Sequence, residues 1–382
     1  MADTYPHPPL SSVAEALDMP LTTLERLRFH WDALPPLCQG LAVSGGRIRQ
    51  ELEDFQVREL PLYLPEGEGS HAYALVEKRG LTTRDVLLCL MEAGVAEKDI
   101  GTAGLKDKYA VTQQWLSVPQ RQADAFDALG QHPQIRVLER SRHKNKLGIG
   151  HLRGNAFRLR VRGLPESALV QAQAVMQQLE QQGVPNYFGP QRFGRFGNNA
   201  IDGLKLARGQ RVPGGHRLKR FFIASLQSCF FNHLLAMRME RGLYAQVLLG
   251  DWAKKHSSGG MFIVDDAERE SLRAHSVEIS SALPLYGKKV KVSPEAAGEL
   301  EQEALEHLGL RWLDFRMLKG SRRSSRVCLQ DWSVTPCDDG YWLSFSLPKG
   351  SFATSVLREL LGNSVDSDSP TDEGDVGEDA DA

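Results

Sequence analysis

The chain has 382 residues, 41% hydrophobic and 25% charged, with a net charge of −2; these are proportions of an ordinary soluble globular protein long enough for two or three domains. Its five cysteines, Cys38, Cys89, Cys229, Cys328 and Cys337, are scattered with no C-x-x-C pair and no Cys/His cluster at zinc spacing, which argues for reduced thiols and against a structural metal. No apolar run approaches the ~18 residues of a membrane span, and the opening "MADTYPHPPL" lacks a basic segment followed by an apolar one, so a soluble, cytoplasmic protein without a secretory signal is expected.

Residues 1–46 are proline-rich and read as an irregular extension, with one short amphipathic stretch at "LTTLERLRF". From Arg47 the pattern turns strand-like, and "RIRQELEDFQVREL" and "HAYALVEK" alternate apolar and polar residues. "TTRDVLLCLMEAG" reads as a helix capped by Thr82 or Thr83 and stopped at Gly94. "AVTQQWLSV", "QIRVLE" and "AFRLRVR" alternate again. "PESALVQAQAVMQQLEQQG" reads as a helix with an acid in its first turn and Gly183 at its end.

Residues 182–326 open with a glycine- and arginine-rich passage and are then mainly helical by pattern. Beyond them the strand signal returns. "SSRVCLQDWSV" and "YWLSFSL" flank "TPCDDG", whose Asp339-Gly340 marks a hairpin. "SFATSVLRELLG" closes as a helix with Ser351 as N-cap and Gly362 as stop. Strand-rich ends around a helical middle suggest an α+β protein with an insertion, in which one sheet is built from both ends of the chain.

The last stretch, from Asp366, holds eight acids and no base. It cannot bury enough apolar surface to pack, so residues 363–382 read as a disordered acidic tail. Without those eight, 46 basic residues face 40 acidic ones, a net of +6 on the body. Such a body is compatible with a nucleic-acid partner.

The motifs G-x-x-x-x-G-K-[ST], H-E-x-x-H and G-x-S-x-G do not occur, which leaves nucleotide hydrolysis, zinc proteolysis and α/β-hydrolase chemistry without support. Four short stretches remain. "GTAGLKDKYAVTQQW" places Asp107 between Lys106 and Lys108, a setting that favours the ionised carboxylate; a solvated charged turn would look the same. "HKNKLGIGHLRGNAF" offers His143, Lys144 and Lys146 to phosphates and then Asn155 and Phe157, or else is a basic loop leading into a strand. "VPNYFGPQRFGRFGNNA" interleaves four aromatics with Arg192 and Arg195 across three glycines, a composition suited to stacking and gripping splayed RNA. "LPKGSFATSVLREL" puts Phe352 at a helix start, where a core role is the simpler reading.

Taken together with "DFQVRE", these stretches resemble the TruD family of tRNA pseudouridine synthases, in the family's order and over most of residues 47–362. The resemblance implies a pseudouridine synthase catalytic domain, with a mixed, largely antiparallel sheet and flanking helices, over residues 47–181 and 327–362. A mainly helical TRUD domain is inserted at 182–326. It further implies isomerisation of a uridine in tRNA, typically at position 13 in bacterial members, with no metal or organic cofactor and no obligate protein partner; the lack of a heptad or long exposed apolar stripe makes a monomer the expectation.

Asp107 matches the family's catalytic aspartate. It would attack C1′ as a nucleophile or remove the C2′ proton to give a glycal, and either role needs the anion. Arg49, where relatives carry a base, is the implied partner of that anion. Phe55, Asn155, Phe157 and Phe352 are implied to hold the flipped uridine, and Lys106, Lys108, His143, Lys144, Lys146, Arg192 and Arg195 are candidates for RNA contact. Two other readings compete: a non-catalytic tRNA-binding protein or RNA chaperone on the same fold, and a glycosidase-like hydrolase. The second is weakened because no further acid accompanies Asp107 in its own stretch.

Overall fold

The computed structural model of the chain describes residues 9–41 and 45–362; the expected acidic tail lies outside the described residues. Helices α1 (Leu10–Leu17) and α2 (Leu21–Glu25) come first. Then follow β1 (Phe55–Pro61), β2 (His71–Arg79), α3 (Thr83–Glu92), β3 (Gly101–Thr102), β4 (Val111–Pro119), α4 (Ala125–Gln131), β5 (Ile135–His143), β6 (Leu152–Arg162) and α5 (Ala168–Gln182). The middle of the chain holds β7 (Val184–Pro185), α6 (Asn199–Ala207), α7 (His216–Glu240), β8 (Trp252–Lys255), β9 (Met261–Ile263), α8 (Ala267–His275), β10 (Ile279–Leu285), α9 (Glu295–His307) and β11 (Ser321–Ser324). The last elements are β12 (Arg326–Val327), β13 (Gln330–Cys337), β14 (Gly340–Pro348) and α10 (Ala353–Leu361).

The main sheet runs β13-β14-β6-β1-β4-β2-β5, with β3 added beside β4. β1 is parallel to β4, and the other pairings described are antiparallel. The protein is therefore α+β with a mixed, largely antiparallel sheet. β14 lies along β6 from Gly340 opposite Arg162 to Pro348 opposite Gly154.

Side-chain alternation decides which face is covered. On β6 and β14, Phe157, Leu159, Leu343 and Phe345 face a core closed by Val175 and Leu179 of α5 and Val356 and Leu360 of α10. On β2 and β4, Ala74, Val76 and Leu116 face Val86 and Leu90 of α3 and Phe126 of α4. Val57 stands opposite Phe157 on one side and Thr112 on the other. Both helical covers thus lie on one face of the sheet, and the line between them runs along β1.

α3 starts on a capping box: the Thr82 hydroxyl accepts from the Asp85 N–H, and the Asp85 carboxylate accepts from the Thr82 N–H. Two other helix starts differ from expectation. α5 begins at Ala168, so Glu166 lies ahead of its first turn. α10 takes Phe352 rather than Ser351 as N-cap, with no side-chain capping bond.

Over residues 9–41 the N-terminal segment is packed and partly helical rather than irregular. Pro9 and Pro20, which break its pattern in sequence, each stand directly before a helix and start it. α1, α2 and the turn after α2 bury Val13, Leu17, Leu24 and Leu27 in a core shared with Leu204 of α6, Phe230 and Leu234 of α7 and Leu305 of α9. The segment is then tied to the far end of the chain. The Arg358 guanidinium lies 4.6 Å over the Trp31 ring and donates to the Trp31 and Leu34 carbonyls, while the Glu359 carboxylate accepts from the Cys38 N–H at 2.9 Å. Burial pushes the Glu359 carboxyl above its ordinary range.

Burying Leu17, Leu24 and Leu27 stabilises the fold by roughly 5–9 kcal/mol before chain entropy, a large part of a typical net stability of about 5–15 kcal/mol. A chain beginning at Pro36 should therefore melt at least ~10 °C lower or be insoluble. Calorimetry showing an unchanged melting point would mean that this helical pair is dispensable.

The middle of the chain is also less purely helical than its pattern. β8 to β11 form a four-stranded sheet in the order β11-β10-β8-β9, and β7 pairs with β12. β10, "ISSALPL", is buried on both faces except at its last residue, so it carries no alternation to read. Among the described residues no helix is long and apolar enough to cross a membrane.

Candidate active site

Asp107 lies on the loop from β3 to β4. A loop without a ladder must have its peptide groups satisfied by side chains. The Lys106 N–H donates to the Thr83 hydroxyl at 2.9 Å, and that hydroxyl donates to Gln114 Oε1 at 2.9 Å. From β2, the fully buried Lys78 ammonium donates to the carbonyls of Leu81 (2.5 Å), Lys106 (3.2 Å) and Asp107 (2.7 Å).

The Lys106 side chain turns inward. Its Nζ sits 2.8 Å from Glu59 Oε2, with both groups buried, and Glu59 Oε1 accepts the Trp115 N–H at 3.2 Å. This corrects its reading as an RNA contact, because a buried ammonium separated from its carboxylate would leave an uncompensated charge. With Lys106 pointing in, Asp107 is left 46% exposed.

Arg49 meets it from the segment ahead of β1. Its backbone is in the left-handed region at φ +57°, unusual for a side chain of this size. Its guanidinium lies 4.0 Å over the Phe55 ring and is only 8% exposed. Nη2 stands 3.8 Å from Asp107 Oδ2, beyond the ~2.7–2.9 Å of a direct charge-assisted hydrogen bond. Nε is buried and meets no hydrogen-bond partner among the described residues. The pair thus sets a buried cation beside Asp107 while leaving its carboxylate oxygens open to a ligand. Phe55 itself is buried, and its ring supports Arg49.

Asn155 on β6 lies opposite Glu59 on one side and Leu347 on the other. Its Oδ1 is buried and meets no donor among the described residues. An orphaned buried amide oxygen is costly, and a donor on a ligand would satisfy it. Phe157, two residues on, shares that face and stacks on Phe345 at 5.2 Å. The half-buried Phe352 lies 6.4 Å from Phe188 and 5.7 Å from the Arg323 guanidinium. Contacts therefore join Arg49, Phe55 and Asp107, and the Lys106–Glu59 pair links Asp107 to Asn155.

The remaining candidates divide by burial. His143 is buried between Tyr63, stacked at 4.7 Å, and Tyr73, edge-on at 5.4 Å, so it belongs to the core rather than to an RNA surface. Lys144 is exposed and pairs with Glu66 at 3.3 Å; Lys146 is exposed and donates to the Lys98 carbonyl. Lys108 is half-buried, 5.8 Å from the Tyr109 ring. Arg192 is half-buried near the rings of Phe188 (5.3 Å) and Phe221 (5.5 Å), and Arg195 is exposed beside Phe196 (5.7 Å).

The aromatic-rich passage is mostly core. Tyr187, Phe188 and Phe193 are buried, Phe193 stacks on Phe29 at 4.4 Å, and Phe196 is exposed. One of its glycines has a packing cause. Gly197 sits at φ +71°, and a Cβ there would come within 2.7 Å of the Phe29 carbonyl oxygen.

Sequence reasoning passed over Lys78 and Glu59 and read Thr83 only as a candidate helix cap. A signal for Lys78 was present in "HAYALVEK". The inward positions 72, 74 and 76 are alanine or valine, and the next position in that register is a lysine.

A family model described as tRNA pseudouridine synthase D (TruD) matches residues 36–211 and 212–360 of this chain. The tRNA pseudouridine synthase D of Thermus thermophilus is 50% identical over 339 residues, covering 88% of this chain and 94% of its own length. Its namesake in Anaeromyxobacter dehalogenans is 44% identical over 338 residues, covering 86% of this chain and 96% of its own. The fold is similar to the crystal structure of a protein assigned as tRNA pseudouridine synthase D (TruD) from Methanosarcina mazei. That match has a TM-score of 0.69 at 22% identity, over 89% of this chain and 98% of that one.

Proposed function

The chain belongs to the tRNA pseudouridine synthase D (TruD) family, and from that premise we infer that it isomerises a uridine of tRNA to pseudouridine. The reacting group is the Asp107 carboxylate and the target is position 13. One observation supports the reading of Asp107 above the rest: it is a half-exposed carboxylate held 3.8 Å from an arginine whose own guanidinium is buried against a ring.

The chemistry asks for that arrangement. The N1–C1′ bond must break, the uracil must turn, and C5 must join C1′. An anion that attacks C1′, or that removes the C2′ proton, starts the sequence, and Arg49 stands beside the carboxylate at 3.8 Å without occupying its lone pairs. The base is out of its stack at this point, with the Asn155 amide oxygen accepting from the uracil edge and Phe157 and Phe352 as apolar walls. The exposed Lys144, Lys146 and Arg195 lie outside this pocket and suit phosphate contacts.

Incubating the full chain with unmodified tRNA transcripts and mapping pseudouridine at single-nucleotide resolution tests the reading. Conversion at position 13 is the expected result. Conversion confined to another position would overturn the target while keeping the reaction, and no conversion in any transcript would overturn both.

A further inference from the structure

We propose that Lys78 is a positioning residue for the reaction: its buried ammonium fixes the backbone of residues 106 and 107 and so sets where the Asp107 carboxylate stands. The proposal rests on the reading of Asp107 as the reacting group and adds to it the device that aims it.

The argument begins with a position where an ion is expensive. Lys78 is paired in the sheet with Thr112 and is fully buried, on the face where Ala72, Ala74 and Val76 pack against α3 and α4. Burying an ammonium without strong acceptors is among the costlier things a fold can do, and an apolar side chain here would continue the pattern. The ammonium instead finds the carbonyls of Leu81, Lys106 and Asp107. These come from two separate segments, the turn entering α3 and the loop carrying Asp107. One cation therefore ties that loop to the rigid start of a helix.

Thr83, the first residue of α3, completes the tie by accepting the Lys106 N–H. The Lys106 side chain anchors the same loop to Glu59 on β1. N–H and C=O of residue 106 and C=O of residue 107 are thus all held from outside the loop. What remains to Asp107 is rotation about its own side-chain bonds. The positive corner this creates is also felt nearby: burial would raise the Asp85 carboxyl, but its bonds from Thr82, with Lys108 and Lys78 close by, hold it below its ordinary range.

Displacing a reacting group by about 1 Å costs on the order of 100-fold in rate, while tRNA binding draws on phosphate and stacking contacts elsewhere. In the full chain, Lys78→Met should therefore stay folded and bind tRNA within about twofold of wild type. Its saturating single-turnover rate should fall about 100-fold. A folded Lys78→Met with a rate within threefold of wild type, or one whose rate loss is matched by an equal loss of affinity, overturns the proposal. Should Lys78→Met fail to fold, Thr83→Val carries the test from the other side of the loop. It should lose about tenfold in rate at unchanged affinity, and a folded Thr83→Val at the wild-type rate overturns the clamp.

Asp107→Asn is measured alongside. Normal turnover in that variant defeats the reading of Asp107 itself. An inactive Asp107→Asn beside a fully active Lys78→Met defeats only the positioning role.

Discussion

The Asp107→Asn protein should fold, bind tRNA as wild type does, and form no pseudouridine. The substitution keeps the size and shape of the side chain and removes its charge. The loop is fastened through backbone groups of residues 106 and 107, to Lys78 and Thr83, and none of these bonds uses the Asp107 carboxylate. The geometry of the site should therefore survive. An amide can neither attack C1′ nor accept the C2′ proton, so the loss should be on the order of 10⁴-fold or more in single-turnover rate, or about 5.5 kcal/mol of transition-state stabilisation. Release of tritium from C5 of labelled uridine reports the new carbon–carbon bond directly. Multiple turnover by Asp107→Asn near the wild-type rate would falsify the assignment.

A second large effect is expected from shortening the chain. Ending it at Ser324 removes β12, β13, β14 and α10. β6 then keeps β1 but loses β14 along its length, so a central strand becomes an edge with one row of peptide groups unpaired. The core over that half of the sheet loses Leu343, Phe345, Leu347, Val356, Leu357 and Leu360, all buried. Several kcal/mol of apolar burial disappear with each pair of such residues, more than a marginally stable fold can spare. This chain should be insoluble or lack a cooperative melting transition. A chain ending at Gly362 loses the eight acids from Asp366 onward and should melt and turn over as the full chain does. A soluble, active chain ending at Ser324 would show that the C-terminal strands are not needed for the sheet.

The sequence was most legible where structure is made by neighbours. The capping box of α3 needs only Thr82 and Asp85, and the turn before Gly340 needs only the residues around it. It was least legible where burial depends on a partner far along the chain. Lys106 reads as a surface base until Glu59, 47 residues away, is known to receive it. His143 reads as part of a basic loop until Tyr63 is seen stacked on it. The rings of Tyr187, Phe188 and Phe193 suggested stacking on bases, yet they pack against one another's neighbours in a helical core.

The candidate site shows the same division. Motif resemblance marked Asp107 and Arg49 as positions but carried no direction for their side chains. The inward turn of Lys106, the left-handed backbone at Arg49 and the ammonium under the loop are long-range properties, and local pattern does not encode them.

The clasp between the two ends of the chain has a consequence for how the protein is made. Arg358 reaches the carbonyls of Trp31 and Leu34, and Glu359 receives the Cys38 N–H across 321 positions of sequence. At about 5–20 residues per second, the early segment waits roughly 16–65 s on the ribosome for its anchor. β6, which carries Asn155, waits in the same way for β14. A nascent chain can thus expose its basic loops to tRNA long before it has a finished uridine pocket. On the proposed reading of the pocket, translation itself would withhold the activity until the last strand is released.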